Sequence, residues 1–124
     1  MSPFAHAWLS AFAFTQVVEV PIYVAALRID GKSAERAWLR PAWARAGVAF
    51  GASALTHPVV WFVIPSLVTS GYWTMVLWAE VFAVVAEAVY FRLFRLERAF
   101  AWSLLANAAS AGLGFASRAL FEWP

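Results

Sequence analysis

Four long apolar segments, separated by short polar links, constrain this chain more than any other feature of its sequence. Each segment is close to the roughly 20 residues that an α-helix needs to cross the hydrocarbon core of a bilayer. The short links make consecutive helices antiparallel neighbours, so we expect one all-α domain, an integral membrane bundle of four transmembrane helices. The helices are predicted at about 4–27, 46–68, 72–93 and 99–121 of a single domain over 1–124.

Composition also favours a lipid environment. Hydrophobic residues make up 64% of the chain and charged residues 13%, against about 45–50% and about 25% in an average soluble domain. A soluble chain of 124 residues could not bury so much apolar surface. The absence of cysteine excludes disulfides, thiolate metal sites and cysteine nucleophiles. The bilayer is therefore the expected partner, and no nucleic acid is expected.

The distribution of basic residues predicts the orientation of the bundle. Eight of the nine Lys and Arg residues lie in or beside the links 28–45 and 94–98. Under the positive-inside rule both links are cytoplasmic, and the N-terminus and the C-terminus lie outside the cytoplasm. No Lys or Arg precedes Arg28, so the first segment is predicted to be a retained helix and not a signal peptide. The high content of Ala, Arg and Trp suggests a GC-rich bacterial genome, and the expected location is the bacterial cytoplasmic (inner) membrane, as a multi-pass protein.

Two of the links carry structural predictions of their own. Residues 33–40 have the pattern of a short amphipathic helix at the membrane surface, ended by Pro41. The link 69–71 is so short that the second and third helices are predicted to form a hairpin. Gly71 is the expected turn residue, because glycine reaches positive φ without steric strain.

Ionisable side chains within the predicted helices are the strongest functional signal. Each costs about 2.5–3.5 kcal/mol at the centre of a membrane helix, and such residues are functional by default. Glu80 and Glu87 are seven residues apart, so they share one helix face. Asn107 lies at a comparable depth on the fourth helix. The sequence therefore predicts one set that binds an ion or ligand: Glu19, His57, Glu80, Glu87 and Asn107.

Other polar and aromatic residues are expected to surround this set. Ser103, Asn107 and Ser110 follow one another at spacings of four and three, which places them on one face of the fourth helix. Pro21 and Pro58 lie beside Glu19 and His57, and proline frees a backbone carbonyl one turn earlier. These patterns predict a polar pocket. The residues expected to surround and orient the binding set are Tyr90, Ser103, Ser110 and Trp61.

Three functions are compatible with this set. In the first, the glutamates bind a proton, a cation or a small polar ligand for transport or coupling, with His57 as a relay and Asn107 as a neutral ligand. A divalent metal ion held by His57, Glu80 and Glu87 is one form of this site. Four helices alone seldom enclose a pathway, so a homo-oligomer or another membrane protein is the expected partner.

The second function is that of a non-catalytic accessory or assembly subunit of a larger membrane complex, with the glutamates bonded between helices. Such bonds contribute only about 0.6–2 kcal/mol each, which is a weak reason to retain three carboxyl groups. The third is an intramembrane metal-dependent hydrolase. The chain has no HExxH motif and no pair of histidines at helical spacing, so we favour a protein that is not an enzyme. We rank transport or coupling first and the hydrolase last.

Four short motifs resemble those of a group of short, uncharacterised bacterial four-helix membrane proteins. They are Glu19-x-Pro21, His57-Pro58, Glu80-(x)6-Glu87 and Ala106-Asn107-x-x-Ser110. The resemblance spans nearly the whole chain. It implies that the five predicted binding residues act as a set, and it implies no particular activity.

Overall fold

The protein is an all-helical bundle. The structure, a computed structural model, describes residues 1–31 and 35–123, and it is 85% helical, with no strand in the described part. All four helices are long and apolar enough to cross a membrane, which confirms the predicted all-α class with four membrane-length helices. They are α1 (Pro3–Ile29), α2 (Ala42–Leu67), α3 (Tyr72–Leu93) and α4 (Ala99–Phe121).

Local sequence explains how α1 begins and ends. The Ser2 side chain accepts a hydrogen bond of 3.1 Å from the Ala5 N–H, and Pro3 occupies the first helical position, where its missing N–H costs nothing. The helix continues through Pro21 to Ile29. It ends where the N–H of Asp30 bonds to the Ala26 carbonyl at 2.8 Å.

Prolines shape the far end of α2. The helix is regular over Ala42–Pro58, widens to a π-helical turn over Val59–Val63 and ends as Ile64–Leu67. The ring of Pro65 would clash with the carbonyl of the residue four positions earlier in a regular helix. The wide turn accommodates this residue, and such turns occur frequently at functional sites.

The four helices form a closed ring. Each helix packs against its neighbours in sequence, and α1 also packs along α4, so the chain runs up and down in turn. The pairs α1–α2 and α3–α4 share the longest interfaces, and α1–α4 and α2–α3 share somewhat shorter ones. The centre of the ring is thus bounded by all four helices.

Large apolar side chains point away from the ring, and small or polar ones point into it. Leu55 on α2 is 65% exposed and Leu77 on α3 is 63% exposed, while Ala52 and Ser53 are buried. A soluble bundle has the opposite distribution, because water drives large apolar side chains inward. This pattern is typical of a bundle whose outer surface contacts lipid.

One end of the bundle is tightly closed. We call it the basic end. It comprises the link between α1 and α2, at 30–41, and the link between α3 and α4, at 94–98. The rings of Tyr23 and Phe91 stack there with their centroids 4.1 Å apart. Leu27, Leu39 and Leu96 are fully buried around them. The apolar core therefore fills this end of the bundle.

Asp30 fastens the two links of the basic end together. Its carboxylate accepts hydrogen bonds of 2.9 Å from both Nε and Nη2 of Arg98 and of 2.7 Å from Nε1 of Trp102. The hydrogen bonds from Arg98 and then from Trp102 hold the pKa of Asp30 below its ordinary value. Arg98 itself has a left-handed backbone conformation, with φ of 55°, where α4 begins. The turn between α3 and α4 is thereby tied to the end of α1.

The predicted amphipathic helix at 33–40 is not present in the described part of that link. Residues 33 and 34 lie outside the described residues, and Arg36 is extended. Ala37–Leu39 forms a single 3-10 turn. The short turn lets Leu39 reach the core, where burial of its side chain outweighs the advantage of a longer surface helix.

The turn between α2 and α3 confirms the role predicted for Gly71. Its φ of 146° and ψ of 159° lie in a region that essentially only glycine occupies. We expect Gly71→Ala to lower the free energy of unfolding by about 1–3 kcal/mol through backbone strain alone, because no atom lies within 4 Å of a new Cβ there. Thermal unfolding in detergent measures this change.

Gly47→Ala is the matched control for this prediction. Gly47 lies inside α2, and a Cβ added there also meets no atom within 4 Å. The substitution should leave stability unchanged or raise it, because alanine favours helix. Equal behaviour of the two variants would contradict a conformational requirement at Gly71.

Candidate functional site

A cavity of about 490 Å³ lies in the centre of the ring. It reaches the end of the bundle opposite the basic end, where Phe4, Pro65, Tyr72 and Arg118 line it. We call this end the mouth. From the mouth the cavity extends to the middle of the helices, and its volume is within the range of about 300–1,000 Å³ that is usual for small-molecule sites.

Glu19 forms part of the floor of the cavity. Its side chain is 1% exposed. Ser53 Oγ on α2 donates to one carboxyl oxygen at 2.6 Å, and Ser110 Oγ on α4 donates to the other at 2.6 Å. Glu19 thus joins α1 to both of the helices that pack beside it.

Glu87 on α3 forms the other part of the floor and is also 1% exposed. Its Oε2 accepts hydrogen bonds from the Tyr23 hydroxyl at 2.5 Å and from Asn107 Nδ2 at 2.8 Å. Its Oε1 accepts a hydrogen bond of 2.8 Å from Thr56 Oγ1. The three donors come from α1, α4 and α2, so one carboxyl group links α3 to every other helix.

These two networks contain carboxyl groups but no cation. Within residues 1–31 and 35–123, no Lys or Arg side chain bonds to Glu19 or Glu87. Hydroxyl and amide donors replace the water that each carboxyl group would have in solution. The floor of the cavity is therefore acidic and already hydrogen-bonded.

Glu80 differs from the two glutamates of the floor. It lines the wall of the same cavity and is half-buried. It lies seven residues before Glu87 on α3, about 10 Å closer to the mouth. No hydrogen bond to its side chain occurs within the described residues. Glu80 is thus an acidic group with unused acceptors that faces the cavity.

His57 is on the α2 wall and is 7% exposed. The Nε2 atom of the imidazole is buried without a hydrogen-bond partner. Three aromatic rings surround the imidazole, with centroids 6.0, 5.2 and 5.9 Å away for Trp8, Phe12 and Trp61.

All five residues of the predicted binding set line this one cavity: Glu19, His57, Glu80, Glu87 and Asn107. The structure divides them by their hydrogen bonds. Glu19, Glu87 and Asn107 bond to protein groups on neighbouring helices. Glu80 and Nε2 of His57 do not. The set therefore consists of residues at the floor that are hydrogen-bonded to neighbouring helices and of two wall residues, each with a polar group that no described residue bonds.

Of the four residues predicted to surround this set, two line the cavity and two do not. Ser110 bonds Glu19 directly, and Trp61 lines the cavity wall. Ser103 Oγ donates to the Val84 carbonyl at 2.7 Å, and the Ser103 carbonyl and Oγ accept hydrogen bonds of 3.0 and 3.4 Å from Asn107 Nδ2. The Tyr90 hydroxyl donates to the Val48 carbonyl at 2.7 Å and does not line the cavity.

The structure does not support a metal site. No group of three or more His, Asp or Glu side chains in the described chain is close enough to hold a metal ion. His57, Glu80 and Glu87 share the cavity but not a ligand geometry, and Glu87 uses both of its oxygens for hydrogen bonds.

Three residues of the floor were not predicted: Tyr23, Ser53 and Thr56. Tyr23 lies four residues after Glu19, and Ser53 lies three before Thr56, so each pair shares a helix face. The spacing therefore predicts a polar face on each helix. It does not predict that Ser53 bonds Glu19 and that Thr56 bonds Glu87, because these pairings depend on the register between helices.

Comparison of the chain with family models, with curated proteins and with solved structures finds no match. The cavity is thus the observation that bears on function. Its floor presents carboxyl oxygens whose charge would be attractive to a cation or a proton. Its wall adds the Glu80 carboxyl group and Nε2 of His57, and neither has a hydrogen-bond partner among the described residues.

The bond between Tyr23 and Glu87 leads to a prediction of stability. Tyr23→Phe removes one of three donors to a buried carboxyl group, so we expect a loss of about 1 kcal/mol. The midpoint of thermal unfolding in detergent measures it. Tyr72→Phe is the control, because that hydroxyl lies at the mouth, 3.4 Å from Arg118 Nη1. Equal midpoints for the two variants would show that the buried bond contributes nothing.

Proposed function

We propose that this protein binds a cation, a proton or a small polar ligand in the central cavity and uses it for transport or coupling in a membrane. The observation that carries this proposal is the cavity of about 490 Å³ that has two buried carboxyl groups at its floor and a third on its wall. Ionisable groups are costly in a membrane bundle unless they line a water-filled or ligand-filled space. A positively charged or donor-rich ligand suits such a space.

We further propose that the basic end faces the cytoplasm of a bacterial inner membrane. Arg28, Arg45, Arg92 and Arg98 cluster toward that end, whereas Arg118 alone lies near the mouth. In this orientation the cavity opens to the outside. A ligand then reaches Glu80 before it reaches the floor.

Labelling of single cysteines tests this orientation, since the chain has no cysteine of its own. Ser70 lies in the turn between α2 and α3, and Glu35 lies in the first link; both are exposed. We expect a membrane-impermeant maleimide to label Ser70→Cys in intact cells and Glu35→Cys only after permeabilisation. The reverse pattern would contradict the orientation.

A second protein chain is part of this proposal. Tyr23, Phe91 and Leu39 fill the basic end, so a single ring offers a pocket with one opening. Movement of a ligand through the membrane then needs a change of packing, a homo-oligomer or another membrane protein.

On the basis of its four motifs, we propose that the chain belongs to the group of short bacterial membrane proteins described above.

The runner-up function is an accessory or assembly subunit without a ligand. The observation that favours it is that Glu19 and Glu87 already have hydrogen-bond donors from neighbouring helices. Networks of this kind hold a bundle together whether or not anything enters the cavity. Glu80 has no place in this explanation, because it bonds to none of the described residues.

Thermal unfolding in detergent across pH and added Na⁺, K⁺ and divalent cations separates the two functions. If the parent binds one of these ions, saturation at a hundredfold excess over Kd stabilises it by about 2.7 kcal/mol. We expect Glu80→Gln to remain folded and to lose that stabilisation. Glu122→Gln, an exposed acid beyond α4, should keep it.

Variants of the other members of the set complete this experiment. Glu19→Gln, His57→Ala and Glu87→Gln should be less stable without ligand than Glu80→Gln, because Glu19 and Glu87 make interhelical bonds and His57 is packed in aromatic rings. If the parent responds to no cation, proton or polar ligand and these variants merely unfold, the accessory-subunit function replaces the proposed one.

A further inference from the structure

Two of the three carboxyl groups that line the cavity accept hydrogen bonds from protein groups, and the third accepts none from the described residues. This difference indicates which kind of ligand the cavity binds. Glu19 receives two hydroxyl donors and Glu87 receives three donors of its own. A ligand at either group would have to displace protein donors. Glu80 is the remaining carboxyl group of the cavity, and no described residue donates to it. The charged group of a ligand is therefore best placed beside Glu80.

His57, on the α2 side of the cavity, has a second polar atom without a hydrogen bond. Its Nε2 is buried without a partner, and in the neutral tautomer that is protonated at Nδ1 this atom is an acceptor. A buried acceptor without a donor is unfavourable. The Glu80 carboxylate is an acceptor as well, so a ligand group that complements this lining is a donor. An ammonium group has only donors and carries the opposite charge to Glu80.

Most of the remaining lining residues are apolar. Phe14, Trp61, Met75 and Phe115 are among its lining residues, together with several alanines. This surface cannot ligate an inorganic cation, which needs several oxygen ligands. It does suit the hydrocarbon or aromatic body of an organic molecule, and aromatic rings also attract ammonium groups. A volume of about 490 Å³ leaves room for such a body beside the charged group.

Charge around the cavity favours a cation over an anion. Three carboxyl groups line it, and Arg118 at the mouth is the single Lys or Arg among its lining residues. Arg118 lies within 3.4 Å of the Tyr72 hydroxyl, at the opposite end from Glu87. A carboxylate or phosphate ligand that passes this residue would meet acidic groups along the whole remaining depth.

We propose that the ligand of this cavity is an organic ammonium ion, whose cationic N–H group binds at Glu80 and whose apolar body lies against the aromatic walls. This inference rests on the proposed function and names its ligand class. Glu19 and Glu87 are then the scaffold that holds the floor. Glu80 is the residue that selects charge.

Three probes with nearly the same body and different charge test the ligand class: phenethylammonium, phenethyl alcohol and phenylpropionate. Isothermal titration calorimetry of the full-length protein in a nonionic detergent at neutral pH measures their affinities. We expect phenethylammonium to bind at least tenfold more tightly than the alcohol and phenylpropionate to show no binding. Glu80→Gln should bind the ammonium about as weakly as the alcohol, while its affinity for the alcohol stays unchanged.

Controls keep the result specific to the cavity. Glu122→Gln removes an exposed acid beyond the end of α4 and should bind like the parent. Phe14→Ala shortens an apolar wall and should weaken the ammonium and the alcohol by the same factor, because it leaves the charge of Glu80 in place. Circular dichroism and gel filtration of each variant establish that it is folded.

The outcomes separate the ligand class from the proposed function. Equal affinities for the ammonium and the alcohol, or an ammonium affinity that Glu80→Gln leaves unchanged, would overturn the organic ammonium. If the parent instead responds to inorganic cations or protons and not to phenethylammonium, the ligand class fails and the proposed function stands. If the parent responds to neither type of cation and to no polar probe, both fail.

Discussion

Everything in this bundle depends on how a carboxyl group is kept inside a ring of apolar helices. Glu87 is surrounded by donors from α1, α2 and α4, at distances between 2.5 and 2.8 Å. Without these donors the carboxyl group would be buried with no hydrogen bond, and the free-energy cost of that burial would strongly destabilise the bundle. The requirement fixes the register of three helices against the fourth. Glu19 repeats the arrangement through Ser53 and Ser110.

These two networks divide the bundle into a packed half and an open half. Toward the basic end, Tyr23 connects the networks to the apolar core through its stacked contact with Phe91. Toward the mouth, alanines and glycine leave the helices apart, and the prolines of α2 interrupt its regular hydrogen bonding. Large side chains fill the half toward the basic end, and the cavity lies in the other half. A single layer of polar residues forms the boundary.

The sequence predicts the fold well because membrane helices follow from local properties. Apolar length gives the four helices, glycine gives the turn at Gly71, and the seven-residue spacing of Glu80 and Glu87 puts both on the cavity side. The donors to the carboxyl groups are harder to predict, because Tyr23 and Thr56 reach Glu87 through a register that depends on all four helices together. In the first link, local amphipathicity predicted a helix where burial of Leu39 decides the structure instead.

The same distinction between local and collective properties explains why the predicted five-residue set has two roles. Depth and residue type mark Glu19, Glu80 and Glu87 alike, since each is an acid inside an apolar helix. They differ in their hydrogen bonds. Glu19 and Glu87 each have a donor on a neighbouring helix, and Glu80 has none among the described residues. A site that is held rigid by bonded acids and completed by an unbonded one is preorganised, because a ligand displaces no protein hydrogen bond when it arrives. Glu80 is costly to bury because no described residue donates to it, and in the function proposed above a cationic ligand removes that cost.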